Sequence, residues 1–97
     1  MKIKIRDIRP GMRGITVEGF VRSKSDVRYL RTRYGPAKFA FAIIEDDTGT
    51  IRLNLFRKQV DIVKVGKRIR VVNAFVKEFR GNLELNVGAD GRIEILD

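Results

Sequence analysis

The sequence has no cysteine, no histidine and no tryptophan, and only two serines, two prolines and one glutamine among its 97 residues. Without cysteine there is neither a disulfide staple nor a thiolate metal site. Without histidine or cysteine the usual nucleophile and base pairs are missing, and Ser23 and Ser25 lie in a basic segment with no base beside them. No glycine-rich phosphate loop of the P-loop or dinucleotide type is present. The longest apolar run, Phe39 to Ile44, is far too short to cross a bilayer. The opening MKIKIRDIRP lacks the apolar block of a secretory leader, so an intracellular protein is expected. These absences leave little for catalysis. The expectation is a binding protein, not an enzyme, with no cofactor and no small-molecule substrate.

What is present is charge, unevenly placed. The formal net charge is +9, and residues 1–40 hold eleven Lys/Arg against three Asp/Glu, whereas residues 41–97 hold ten against nine. Such asymmetry points to a polyanionic partner, and nucleic acid fits better than a membrane because no basic amphipathic helix accompanies the charge. The densest segment is DVRYLRTRYGPAK (26–38), with Arg28, Arg31, Arg33, Lys38 and both tyrosines around Gly35-Pro36. Abundant Lys, Arg and Glu beside one Gln also suit a heat-adapted source.

The periodicity is mostly two, hence strand. Ile15, Val17 and Val21 alternate with Thr16, Glu18, Phe20 and Arg22 in a strand over 13–24, followed by the 26–38 loop and a second strand over 38–45. Asp46-Asp47-Thr48-Gly49 reads as a turn, in preference to a cation site. TIRLNLF (50–56) alternates most clearly. Val60 and Val63 then mark a helix over 57–65, with Gly66 as its cap. Strands over 67–79, 83–87 and 92–96 follow. This pattern predicts that residues 1–97 form a single all-β domain, a five-stranded OB-fold barrel with one short helix between strands 3 and 4. Full closure hides the strand edges that so β-rich a small protein would otherwise expose; an SH3-like barrel, the main competitor, has no natural place for the 57–65 helix.

On the third strand Phe56 shares the outward parity of Arg52 and Asn54, opposite Ile51, Leu53 and Leu55. Exposed rings beside cations suit single-stranded nucleic acid, since rings stack on any base while cations follow phosphates. Phe79 stands at the lip of the Arg80-Gly81-Asn82 hairpin. Phe75 faces inward by simple alternation from Ile69 and Val71, and outward only if a bulge near Asn73-Ala74 shifts the phase. Phe39 is expected in the core, and Phe41 on either side. Asn73 and Asn86 suit turn and edge hydrogen bonds.

DDTGTIRLNLF (46–56), NAFVKEFRGNLELNVG (73–88), DIRPGM (7–12) and TRYG (32–35) together resemble the single-OB single-stranded DNA-binding proteins of archaea, relatives of the replication protein A domains. The resemblance covers nearly the whole chain. It implies base stacking on Phe56, Phe75 and Phe79, which settles Phe75 outward, and backbone contacts from Arg28, Thr32, Arg33, Arg52 and Asn54. Tryptophan is usual in that family where Phe56 and Phe75 stand here, so the stacking area is smaller. The 26–38 loop then becomes a basic clamp over the groove, with Arg31 among its phosphate contacts and Tyr34 or Tyr29 against a terminal base. The implied partner is single-stranded DNA, in replication, repair or recombination at a cytoplasmic, nucleoid-associated location. An RNA-binding OB module is the alternative, and a protein-interaction OB subunit a third reading.

Overall fold

Alternation decides which way each strand faces, and a break in alternation decides where the barrel bends. The computed structural model describes residues 1–97. After a 3-10 turn at Ile5–Asp7 come β1 (Arg13–Lys24), β2 (Arg28–Thr32), β3 (Gly35–Asp46), β4 (Gly49–Phe56), α1 (Lys58–Ile62), β5 (Arg68–Phe79) and β6 (Asn82–Ile95). The sheet order is β1-β5-β6-β4-β3-β2, and pairing of β1 with β3 closes it. The β4–β6 step is parallel, with Arg52 beside Glu84 and Leu53 beside Leu85, while its neighbours in the sheet are antiparallel. A closed barrel of β1, β3, β4, β5 and β6, with the helix between its third and fourth strands, is the OB fold expected from the pattern.

The core takes one parity from each barrel strand except β5, whose inward parity changes at Asn73. Ile15, Val17 and Val21 of β1 meet Ala40, Ala42 and Ile44 of β3, Ile51, Leu53 and Leu55 of β4, Ile69, Val71, Ala74 and Val76 of β5, and Leu85 of β6. Val60 and Val63, at helical spacing, join it from α1 and the residue after it, as Ile5 and Ile8 do from the opening turn. The helix is shorter than its 57–65 pattern because both ends are fixed from outside. Arg57 before it has φ 56°, and the Lys24 amine donates to the carbonyls of Val60 and Val63 at its far end. Gly66 consequently serves the following turn, at φ 91°, and not the helix.

Three local expectations change. The 26–38 segment is no open loop: β2 pairs with the first part of β3, from Arg28 opposite Phe39 to Thr32 opposite Gly35, so a two-stranded ribbon projects from the barrel. Strands 83–87 and 92–96 are one strand: β6 runs unbroken over Asn82–Ile95, although residues 88–91 fall in the register break between Val87 opposite Ala74 and Arg92 opposite Val72. Phe39 lies outside the core. The tight space at β3 takes the alanines Ala40 and Ala42, which sends the bulky parity, Phe39, Phe41 and Ile43, to the other face.

The bulge in β5 is present. Register breaks between Val72 and Ala74, Asn73 takes φ 58°, and its side-chain amide donates to the Asp90 carbonyl at 3.1 Å. A Cβ on Gly91 would stand 2.7 Å from the Val72 oxygen and 2.8 Å from that of Asn73, so β6 approaches the bulge closely only because a glycine is there. After the bulge Ala74 and Val76 face inward, and Phe75 faces out.

Candidate nucleic-acid interface

Cross-strand register turns the outward parity into a grid over four strands. One row runs Phe41, Asn54, Asn86, Phe75, and the next runs Ile43, Arg52, Glu84, Lys77. Phe39 and Phe56 pair beyond the first row, with Arg28 continuing onto the ribbon. Phe79, opposite Asn82, lies beyond the second row. Aromatic rings therefore frame a polar centre.

That centre is cross-linked. Arg52 Nε donates to Asn54 Oδ1 at 2.9 Å. Asn54 Nδ2 donates to Glu84 Oε1 at 2.9 Å and to Asn86 Oδ1 at 3.2 Å. Asn86 donates in turn to the Glu84 carbonyl at 3.3 Å. The Arg52 guanidinium sits over the Phe41 ring at 3.9 Å. This lattice costs little because every buried polar group in it is satisfied. It also means that Asn54, only 7% exposed, positions Arg52 and Glu84 instead of reaching outward itself.

The rings have different surroundings. Phe56 is half-buried and tilts 53° against Phe39 at a centroid distance of 5.0 Å. Gln59 fixes it from behind, accepting from the Phe56 N–H at 3.0 Å. Phe75 is half-buried and leans on Gly88, where an added Cβ would lie 3.5 Å from the ring. Phe79 is 58% exposed, with the Arg80 guanidinium 5.1 Å from its centroid. Lys77 Nζ stands 5.8 Å from the Phe75 ring.

On the ribbon, Arg28 lines a hollow of about 430 Å³ with Phe39, Phe41 and Arg52, so it belongs to the same face. Arg31 does not. Alternation places it, with Tyr29, on the ribbon's opposite face, where Lys38 opposite Tyr29 reaches Asp61 of α1 at 3.1 Å. The Thr32 hydroxyl is taken up by the turn, donating to the Gly35 carbonyl at 2.6 Å and accepting from the Tyr34 N–H at 3.1 Å. Arg33 and Tyr34 form the tip, and Tyr34 is 83% exposed.

The sequence-expected residues Phe56, Phe75, Phe79, Arg28, Arg52 and Asn54 thus share one surface, with Arg33 and Tyr34 at the far end of the ribbon. Phe39, Phe41, Lys77, Glu84 and Asn86 join them. For Phe39 and Phe41 the alanine parity was the available signal, ambiguous because both parities of KFAFAIIE are apolar. The signal for Glu84 and Asn86 was their shared parity in LELNV, opposite Leu85. Asp46, by contrast, belongs to the turn: its carboxylate accepts from the Ile5 N–H at 2.9 Å and the Thr48 hydroxyl at 2.6 Å. No helix is long and apolar enough to cross a membrane.

The family model described as single-stranded DNA binding protein Ssb-like, OB fold, matches residues 8–95. The single-stranded DNA binding protein Ssb of Saccharolobus solfataricus is 30% identical over 93 residues, which cover 96% of this chain and 63% of that protein. This chain therefore spans less than two thirds of that relative. The OB domain of a Thermoplasma acidophilum protein superposes with a TM-score of 0.85 at 30% identity, covering 99% of this chain and 87% of that one. The second OB-fold domain of replication protein A from Methanococcus maripaludis gives a TM-score of 0.81 at 27% identity, over 100% and 96% of the two chains.

Proposed function

This chain belongs to the Ssb-like, OB-fold family of single-stranded DNA binding proteins, and from that premise we propose that its aromatic-framed face binds single-stranded DNA, largely irrespective of sequence, and protects it during replication, repair or recombination. The observation that carries this reading is the grid: Phe56, Phe75 and Phe79 share the outward face of β4 and β5, with Arg28, Arg52 and Lys77 between and beside them. Stacking accepts every base because every base has a π face, while the cations hold the phosphates. A partner-protein surface would not need cations interleaved with each ring.

The grid also sets a length. Phe56 and Phe75 are two strand steps apart with a two-residue offset along the strands, or about 12 Å, and Phe75 and Phe79 are four residues apart on one strand, or about 13 Å. A path over all three rings covers about 20–25 Å, a footprint near the lower end of the roughly 4–16 nucleotides that OB folds occupy. The ribbon overhangs the Phe56 end of this path, where Arg28 and Arg33 meet the backbone and Tyr34 an end base.

Titration of matched single-stranded, double-stranded and RNA oligonucleotides at two salt concentrations tests the proposal. A duplex hides its base faces, and no helix here is shaped for a major groove, so duplex binding is expected to be much weaker. Equal affinity for duplex and single strand at moderate salt overturns the stacking platform. Preference for the RNA strand moves the reading to an RNA-binding module.

A further inference from the structure

Glu84 is out of place on a face that receives a polyanion. Its Oε1 accepts from Asn54, but Oε2 lies 3.8 Å from Arg52 Nε, beyond hydrogen-bond reach. Its side chain retains 17% exposure and that of Arg52 35%, so both heads reach the surface. They do so in a cavity of about 670 Å³ lined by Phe41, Ile43, Arg52, Phe79, Arg80 and Glu84. Two rings flank that cavity. A carboxylate there repels phosphates and has nothing to stack on, but it can accept from the amine of a base.

We propose that Arg52 and Glu84 read the edge of one base and favour guanine or cytosine over thymine in this cavity. The inference rests on the groove's binding single-stranded DNA. Arg52 brings donors on its terminal nitrogens, since only Nε is engaged by Asn54, and Glu84 brings an acceptor with a free lone-pair direction. Guanine fits with its carbonyl toward Arg52 and its ring N–H and amine toward Glu84. Cytosine fits in the reversed sense, its amine on Glu84 and its ring nitrogen and carbonyl on Arg52. Thymine has one N–H between two carbonyls, so either placement turns a carbonyl oxygen against the carboxylate. Adenine places its amine on Glu84 and one ring nitrogen on Arg52 but has no carbonyl, so it makes one contact fewer than cytosine. The discrimination acts through the group left unpaired, the stronger arm of base selection.

The experiment measures binding of the full chain to (dC)12, (dT)12 and (dA)12 by fluorescence anisotropy at one ionic strength, in wild type and Glu84→Gln. Wild type is expected to bind (dC)12 about tenfold more tightly than (dT)12, with (dA)12 between them. In Glu84→Gln the amide both donates and accepts, so the ratio narrows to about twofold, and (dT)12 binding tightens because a negative charge leaves the groove. A (dT)12 strand carrying guanine at every fourth position should bind wild type more tightly than (dT)12, and the variant no more tightly. Arg52→Lys, which keeps charge but loses the fork, should also narrow the ratio and serves if Glu84→Gln does not fold. A wild-type ratio near one, or the same ratio in wild type and both variants, overturns base reading. Phe56→Ala and Phe75→Ala tell the two failures apart: if they bind (dT)12 as wild type does, the groove reading fails, and with it this inference.

Discussion

Rings and cations do different work on this face, and salt separates them. Truncating a stacked ring removes a contact that counterions barely touch, so Phe56→Ala, Phe75→Ala and Phe79→Ala should each cost about 1–3 kcal/mol of binding at low and high salt alike. Removing a phosphate contact should flatten the log–log salt slope by about 0.7 for a single strand. Arg28→Ala is expected to do so, since Arg28 lines the hollow beside Phe39 and Phe41. Arg31→Ala, from the opposite face of the ribbon, should flatten it less, although sequence alone gave the two arginines equal standing. Parallel titrations over a fourfold salt range check both. The stacking assignment fails if the phenylalanine variants remain folded and bind like wild type, and the ribbon geometry fails if Arg31→Ala matches Arg28→Ala.

At the scale of elements, the bulge in β5 decides whether Phe75 belongs to the groove. Asn73 tolerates its left-handed backbone better than a residue with an inert side chain, and Gly91 leaves room for the Val72 and Asn73 carbonyls. Gly91→Ala should therefore destabilise the fold by about 1–3 kcal/mol, as overpacking against backbone does, or roughly 4–20 °C in melting temperature for a domain of this size. Asn73→Gly should cost less, about 0.5–1.5 kcal/mol in the same melting experiment, because glycine adopts that conformation freely and only the hydrogen bond to the Asp90 carbonyl is lost. A Gly91→Ala protein as stable as wild type would mean that the strand crossing is looser than it looks. This bulge also marks how far the sequence could be read. The barrel, its helix and the outward parity of β4 follow from alternation, which is a local signal. Whether Phe75 pointed out depended on one residue of phase, supplied by a crossing with Gly91 far along the chain. Phe39 was misplaced because an interleaved Phe-Ala strand is apolar on both faces, and only the closed barrel's tight interior selects the alanines. The 26–38 segment read as a loop because Gly35-Pro36 and dense charge obscure its pairing. As a ribbon it is held to the sheet through β3, so its amides should exchange fastest among the strands and slow on addition of oligonucleotide. Equal protection with and without ligand would remove its clamping role.

For the whole molecule, the missing histidine and cysteine return as a prediction about pH. The carboxylates whose pKa values move all move down. Burial works to raise that of Asp46, but hydrogen bonds from the Thr48 hydroxyl and from the Ile5, Thr48 and Gly49 amides outweigh it. Arg70 and Lys2 lower Glu18, Arg92 and Arg70 lower Glu94, and Lys4 lowers Asp47. A carboxylate whose folded pKa lies below its unfolded value binds fewer protons folded than unfolded in the interval between them, so stability rises with pH there. Its contribution is complete above the unfolded value of about 4 and is lost as pH falls through the folded one. At the alkaline end Lys4 is raised by its hydrogen bond to Asp47, so its contribution lasts until pH climbs through a value above 10.5. Lys24 runs the other way: burial lowers its pKa, so its protonated form is disfavoured in the fold and stability gains as it deprotonates. Between these limits no side chain has an ordinary pKa near neutrality. The melting temperature should therefore be nearly flat from about pH 5.5 to 9 and fall steeply below about pH 4. Oligonucleotide affinity at fixed ionic strength should be equally flat from about pH 6 to 8.5, since the arginines and the bases keep their charge throughout. Calorimetry and anisotropy across that range test it, and a clear slope in either near neutrality would mean that a group in the groove titrates in a way this charge distribution does not contain.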